Sequence, residues 1–184
     1  MSFNKYYLRV LIFTLNILCN LGNYMHLEFK KLSQIDPLHI VELNNHPAVL
    51  RQMPLGSPDF DIEKSILWAK DKDSQWDDNG YGPWAFVIDG VFAGWGGLQK
   101  EGDDADLALV LHPNYWGVGK VIYAEIIRRA FDEMNIESIT ILLPHSRKVT
   151  KTVSRYGFKP DGEVCFDNIS FQRFRLFADK NRTI

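Results

Sequence analysis

An apolar run followed at once by a glycine-containing turn and a helix pattern most constrains what this chain can fold into. Leu107–Leu111 predicts a strand, Gly117 and Gly119 lie in the turn, and Val121–Met134 has the spacing of a helix. The first N–H groups of a helix lack intrahelical partners and carry partial positive charge, and glycine permits close approach of a ligand. The stretch therefore predicts a strand–turn–helix unit that can hold a pyrophosphate. The alternative is a tight turn in which the glycines serve geometry alone.

Two common phosphate-binding motifs do not fit this turn. The pattern GxxxxGK[ST] does not occur, and the third residue after Gly119 is Ile122, so GxGxxG also fails. The sequence therefore argues against a nucleoside triphosphate or NAD as the ligand.

Three segments resemble those of one family. Leu111–Val121 resembles the acetyl-coenzyme A loop of the GNAT acetyltransferase superfamily, and is most similar to the branch that contains ribosomal-protein N-terminal acetyltransferases. Ser146–Phe158, a short helix pattern ending in Gly-Phe, resembles the second motif of the family, and Ala85–Gln99 resembles its central hairpin. The resemblance covers roughly residues 27–177.

This resemblance implies an α/β fold in which helices flank a central, mixed, mostly antiparallel sheet. In that fold the strands ending at His112 and beginning near Ser138 splay apart and admit the pantetheine arm of acetyl-coenzyme A, the implied co-substrate. The backbone N–H groups of Val110 and Leu111 would polarise the thioester carbonyl, and Ser146 would hydrogen-bond the arm or act only as a helix cap. The loop would supply the remaining binding residues, which are Trp116, Gly117, Val118, Gly119, Lys120 and Val121.

The chemistry also needs a neutral amine and a proton for the departing thiolate. An N-terminal amine has a pKa of about 8 and needs little help, whereas a lysine, at about 10.4, needs a base. The resemblance makes Asp106 the candidate base, acting through water; the alternative is a solvent-facing acidic edge shared with Asp103 and Asp104. Tyr156 and Tyr123 are the candidate acids, and the alternative for Tyr156, which the sequence favours, is packing in the core.

Two functions stay open at this point. The first is transfer of an acetyl group to a primary amine, on a protein N-terminus or a small molecule, by direct attack in a ternary complex. The second is an acyl-coenzyme A-binding module with weak or no catalysis, because Val121, Ser146 and Val153 depart from the family pattern.

Composition narrows the partners. The chain has 184 residues, enough for one domain with a sizeable core, and a net charge of −2, which argues against nucleic acid or an anionic membrane as the main partner. Two cysteines and five scattered histidines form neither a disulfide framework nor a metal site. We therefore expect a cytoplasmic monomer or homodimer without a metal.

The first 24 residues differ from the rest. Lys5 and Arg9 precede the apolar run Val10–Leu21, which resembles the start of a signal peptide but is too short to span a membrane. We expect residues 1–24 to be an extension, upstream of the true start, and residues 25–184 to be a single domain. The alternative is an extra helix packed on that domain.

The remaining elements follow from caps and periodicity. The sequence predicts a helix from Asp61 to about Lys72, a loop over Asp71–Gly82, and a type I′ turn at Asp89-Gly90. It further predicts a buried strand at Ile139–Leu143 and a final hairpin formed by Glu163–Cys165 and Ile169–Phe177. Five aromatic side chains either line an acceptor groove or belong to the core, and they are Trp68, Trp76, Tyr81, Trp84 and Trp95.

Overall fold

A seven-stranded sheet in the order β1-β2-β3-β4-β5-β7-β6 forms the centre of the protein. The computed structural model describes residues 25–145 and 150–179. The strands are β1 (Leu27–Lys30), β2 (Pro83–Ile88), β3 (Val91–Glu101), β4 (Asp104–Leu111), β5 (Ser138–Pro144), β6 (Lys159–Phe166) and β7 (Ile169–Phe177). Neighbouring strands are antiparallel except β4 and β5, which are parallel. The predicted mixed, mostly antiparallel α/β architecture is therefore confirmed.

Helices cover both faces of this sheet. They are α1 (Pro37–Asn44), α2 (Pro47–Leu50), α3 (Ile62–Asn79), α4 (Gly119–Arg128) and α5 (Thr150–Arg155). On one face, Trp68 of α3 packs in a core cluster with Val110 of β4; on the other, Ile122 of α4 packs in a cluster with Leu109. Because successive side chains of a strand point to opposite faces, β4 contributes alternate residues to the two cores.

The hairpin between β2 and β3 forms as predicted. Asp89 and Gly90 have φ values of 50° and 80°, the positive values that a type I′ turn requires. Further along β3, a Cβ on Gly94 would lie 2.2 Å from the carbonyl oxygen of Val110. Glycine at this position therefore allows β3 to lie closely against β4.

The prediction of a loop over Asp71–Gly82 is wrong for most of its length. Helix α3 continues to Asn79 and ends at Gly80, whose φ of 73° is the left-handed conformation typical of a helix C-terminus. The periodicity was hidden because inward-facing positions of this helix are polar. Lys72 and Asp73 are both only 7% exposed.

The five aromatic side chains do not line one groove. Trp68 and Trp95 belong to the core beneath α1 and α3, whereas Trp84 lies in the core on the opposite face, with Trp76 and Tyr81 packed against it. The alternative, that they are core residues, is confirmed for Trp68, Trp84 and Trp95, which are at most 8% exposed.

Strands β4 and β5 separate soon after they begin. Within the described chain their register contains two pairs, Ala105 with Ile139 and Asp106 with Thr140. Both strands then continue, β4 to Leu111 and β5 to Pro144. We call the opening between them beyond Asp106 and Thr140 the cleft, and that last pair its apex.

No helix in the described ranges is both long enough and apolar enough to cross a membrane.

Candidate functional site

The β4 side of the cleft presents backbone groups that the sheet does not use. The N–H of His112 donates to the carbonyl of Ala93 at 2.8 Å, and the carbonyl oxygens of Val110 and Ala108 lie against glycines of β3. Since backbone groups along a strand alternate between its two neighbours, those of Leu111 point away from β3, toward the cleft. Of the two predicted donors, the structure therefore directs the N–H of Leu111 to the cleft and that of Val110 to β3.

The predicted turn after β4 is a short helix rather than an open loop. Pro113–Val118 forms a 3-10 helix that leads directly into α4 at Gly119. The indole N–H of Trp116 donates to the carbonyl of Leu111 at 2.9 Å, which fixes the turn to the end of β4. No side chain caps the first turn of α4, and the N–H of Gly119 donates to the carbonyl of Trp116 in the preceding 3-10 helix.

Gly117 is not explained by the fold itself. It does not have a positive φ, it is exposed, and a Cβ built on it would meet nothing within 4 Å. A larger residue would fit and would cost less chain entropy. The missing side chain instead leaves open space beside Gly117, two residues before α4 begins.

The remaining loop residues divide into buried and exposed positions. Gly119 is buried in the packing of α4, Val118 is partly buried, and Lys120 is exposed. Val121 is 52% exposed. Ser146 lies outside the described residues.

A groove of about 720 Å³ lies between α4, α5 and the end of β7. Its lining includes Lys120, Tyr123, Arg155 and Tyr156, and so brings together three predicted candidates. The rings of Tyr123 and Tyr156 are 4.9 Å apart at their centroids. Burial, and secondarily Tyr156, raise the pKa of Tyr123, so its hydroxyl stays protonated at neutral pH, as a general acid must be.

Asp106 lies at the apex of the cleft and is completely buried. The hydroxyl of Thr140 donates to its Oδ1 at 2.9 Å. The alternative of a solvent-facing acidic edge is therefore wrong for Asp106. Asp104 instead accepts from Arg175 of β7 at 2.7 Å, and that hydrogen bond lowers the pKa of the Asp104 carboxyl.

Three further side chains share the burial of Asp106 and were not predicted. Gln99 is its partner across β3, Thr140 is its partner across β5, and Lys72 of α3 donates to Oε1 of Gln99. Gln99, Thr140 and Lys72 are 3%, 1% and 7% exposed. The short connection between β3 and β4 was a sufficient signal for Gln99, because a hairpin turn fixes the register of its strands and so places Gln99 opposite Asp106.

Two histidines connect the start of α2 to the segment that follows β4. The imidazole Nδ1 atoms of His46 and His112 accept from the N–H groups of Ala48 and Asn114, at 3.1 and 3.3 Å. Their rings are 5.1 Å apart. Burial, then the neighbouring His46, lower the pKa of His112. Both therefore serve as helix caps, and each needs an unprotonated Nδ1 to do so.

Known proteins share the sequence pattern and the fold of this chain. Residues 26–159, well over half of the chain, match the family model for the acetyltransferase (GNAT) domain. No match to a curated protein sequence was found. An acetyltransferase structure from Agrobacterium tumefaciens superposes with a TM-score of 0.64 at 17% identity, covering 88% of this chain and 98% of that one.

Two other similar structures contain the cofactor. Spermidine N-acetyltransferase from Vibrio cholerae, in complex with CoA and spermine, has a TM-score of 0.62 at 13% identity, over 83% of this chain and 95% of that one. The N-acetyltransferase PseH from Campylobacter jejuni, in complex with acetyl coenzyme A, has a TM-score of 0.57 at 18% identity, over 84% and 100%. At these identities the likeness establishes a shared fold.

Proposed function

Since this chain belongs to the GNAT acetyltransferase family, we propose that it transfers an acetyl group from acetyl-coenzyme A to a primary amine. The observation that carries this proposal is the cleft, whose β4 edge is open and ends at a helix N-terminus beside Gly117. The complexes of the Vibrio cholerae and Campylobacter jejuni proteins with CoA and acetyl coenzyme A support the same co-substrate.

The loop and the cleft would bind different parts of acetyl-coenzyme A. The first turn of α4, with Gly117 in front of it, would hold the pyrophosphate, and the exposed Lys120 would pair with a phosphate. Trp116, Val118 and Gly119 shape this turn. The pantetheine arm would lie along the cleft, where the N–H of Leu111 is directed at the thioester carbonyl and stabilises the oxyanion.

Proton transfer would use both faces of the sheet. The amine nitrogen attacks the carbonyl carbon, its surplus proton passes through water to Asp106, and the C–S bond breaks. The thiolate then takes a proton from the groove side, where Tyr156 and Tyr123 lie together. Val121 and Val153 do not contribute a polar group to these steps.

The acceptor class is the finer part of the proposal. A protein N-terminus, as in the ribosomal-protein branch, and a small amine are both compatible with the fold, because members of one fold vary in the site they carry. The Vibrio cholerae protein, with spermine bound, is an example of the second. A panel of N-terminal peptides and polyamines, assayed for thiol release, decides between them.

The first test is binding. Acetyl-coenzyme A at about 100 times its Kd should add about 2.7 kcal/mol to the free energy of unfolding, because it binds the folded state alone. We expect thermal unfolding to move upward and tryptophan fluorescence to change. If neither responds at saturating acetyl-coenzyme A, the proposal fails.

A matched pair of variants locates the pyrophosphate. Gly117→Asp and Gly117→Asn add nearly the same bulk to an exposed position with open space around it, and only the first adds negative charge. Both should fold, and Gly117→Asp should bind acetyl-coenzyme A more weakly than Gly117→Asn. Equal affinities would place the phosphates elsewhere. Gly119→Asp should also abolish binding, but Gly119 is buried, so this substitution also disturbs the packing of α4.

Thiol release separates the enzyme from the alternative, a binding module without catalysis. Both bind acetyl-coenzyme A, and only the enzyme releases coenzyme A when an amine is present.

A further inference from the structure

We propose that Lys72, acting through Gln99, holds Asp106 as a fixed carboxylate at the apex of the cleft. Lys72 and Gln99 are then positioning residues for the acetyl transfer. Their role in catalysis rests on the proposed function, whereas their effect on the charge of Asp106 does not.

The four side chains form one buried polar row. Gln99, Asp106 and Thr140 occupy directly paired positions on β3, β4 and β5, and such partners lie about 4.5–5.5 Å apart on the same face. Helix α3 covers that face, and its Lys72 ends on Gln99. The row therefore joins the helix layer to both sides of the cleft.

Burial makes the charges of this row depend on one another. In the described chain, the buried charged side chains are Lys72, Asp73 and Asp106. Asp73 accepts from the N–H groups of Leu32 and Ser33, at 2.9 and 3.0 Å. An isolated buried ion is strongly disfavoured, so the ammonium of Lys72 is the charge that balances Asp106.

Other charged groups on this face are engaged at the next position of the sheet. Arg175 of β7, opposite Thr140, binds Asp104 and Asp161, and Arg173 binds Asp161 and lies 3.5 Å from Asp104. These arginines hold the end of the sheet at which β4 and β5 are paired. The buried polar row of Thr140, Asp106 and Gln99 ends instead at Lys72.

Gln99 gives this row a second property. Its Oε1 accepts from Lys72, which fixes the orientation of the amide, and its buried Nε2 has no hydrogen-bond partner in the described residues. A buried donor of this kind is normally satisfied by an ordered water. A water bound to Nε2 of Gln99, the residue paired with Asp106, would be placed to carry a proton from an amine in the cleft to the carboxylate.

The direct test is titration of Asp106 by carbon NMR of labelled aspartate carboxyls, assigned by the signal lost in Asp106→Asn. In the unaltered protein Asp106 should stay ionised from pH 5 to pH 9. In Lys72→Met its pKa should rise by about 1–3 units, the usual effect of an opposite charge nearby. Lys72→Arg, which keeps the charge, should restore the original titration. Lys70→Met, at an exposed position of the same helix, should leave it unchanged. Identical titrations in Lys72→Met and the unaltered protein would overturn the proposal.

A double variant covers the case in which Lys72→Met does not fold. Adding Asp106→Asn removes the carboxylate whose balancing charge is lost in Lys72→Met, so the double variant should unfold at a higher temperature than Lys72→Met. A double variant no more stable than the single one would also overturn the proposal.

Rates then test the positioning role. With an accepted amine, Asp106→Asn should lose more rate at low pH than at high pH, where the amine is already neutral. Lys72→Met should show the same pH-dependent loss with unchanged affinity for acetyl-coenzyme A, and Lys72→Arg should recover it. If the titration shifts while the pH profile does not, the positioning role is overturned. If no amine gives turnover in the unaltered protein, the proposed function fails and the titration alone decides the charge assignment.

Discussion

At the scale of single residues, His112 shows how one proton can act on the 3-10 helix that follows β4. Its Nδ1 must be unprotonated to accept from Asn114, and its ring lies beside that of His46. Protonation would remove a cap and place positive charge next to the second imidazole. The lowered pKa of His112 means that, as the pH falls, the unfolded chain takes up the proton first.

The expected result is a stability that falls as the pH drops below about 6.5, the pKa of an unperturbed histidine. His112→Asn keeps a capping acceptor without a titrating group. The difference in melting temperature between pH 7.5 and pH 5.5 should therefore be smaller in this variant. His26→Asn, at a side chain that is 73% exposed, is the control and should behave like the unaltered protein. An unaltered pH dependence in His112→Asn would contradict this account.

Sequence reasoning located Asp106 and the glycine-containing turn, because both belong to continuous motifs. It could not establish the environment of Asp106, since the groups that decide it, Lys72 and Thr140, are each 34 residues away along the chain. Gln99 could have been predicted, because the hairpin register places it opposite Asp106. The roles assigned to Tyr156 and to the backbone N–H of Leu111 stay predictions, whereas the N–H of Val110 is directed to β3 rather than to the cleft.

At the scale of elements, α3 is where prediction from sequence failed and where its cause is clearest. Its first half shows apolar residues at helical spacing, while the later part turns polar residues inward. The helix start at Asp61 and the type I′ turn were predicted correctly, since a cap or a turn depends on local chemistry alone. The inward polar positions depend on partners supplied by β3 and by the segment after β1.

The end of α3 gives a prediction of known size. Gly80 has φ 73° and no atom within 4 Å of its missing Cβ, so Gly80→Ala adds backbone strain without a clash. The cost should be about 1–2 kcal/mol, which lowers the melting temperature by roughly 2–4 °C per kcal/mol. Gly80→Asn should lose less, since asparagine tolerates this conformation better. Equal losses in the two variants would point to another cause. Affinity for acetyl-coenzyme A should not change in either.

At the scale of the whole molecule, the family model starts at residue 26, and β1 starts at Leu27. That residues 1–24 are an extension, and that the protein is cytoplasmic, stay predictions.

A chain beginning at Met25 should fold, unfold at the same temperature as the full chain and bind acetyl-coenzyme A with the same affinity. The measurement is thermal unfolding and titration of both chains side by side. An insoluble shorter chain, or one with weaker binding, would mean that residues 1–24 pack on the domain.

The two-pair contact between β4 and β5 has a consequence for the hydrogen bonding of the sheet. Strands β1 to β4 and β5 to β7 are each joined by extended ladders, whereas the ladder between β4 and β5 contains two residue pairs. Side chains still join the two halves: Thr140 donates to Asp106, Arg175 donates to Asp104, and residues of β4, β5 and β7 share one core. A molecule that lies in the cleft and bonds to both strands would therefore continue the interrupted ladder through its own polar groups.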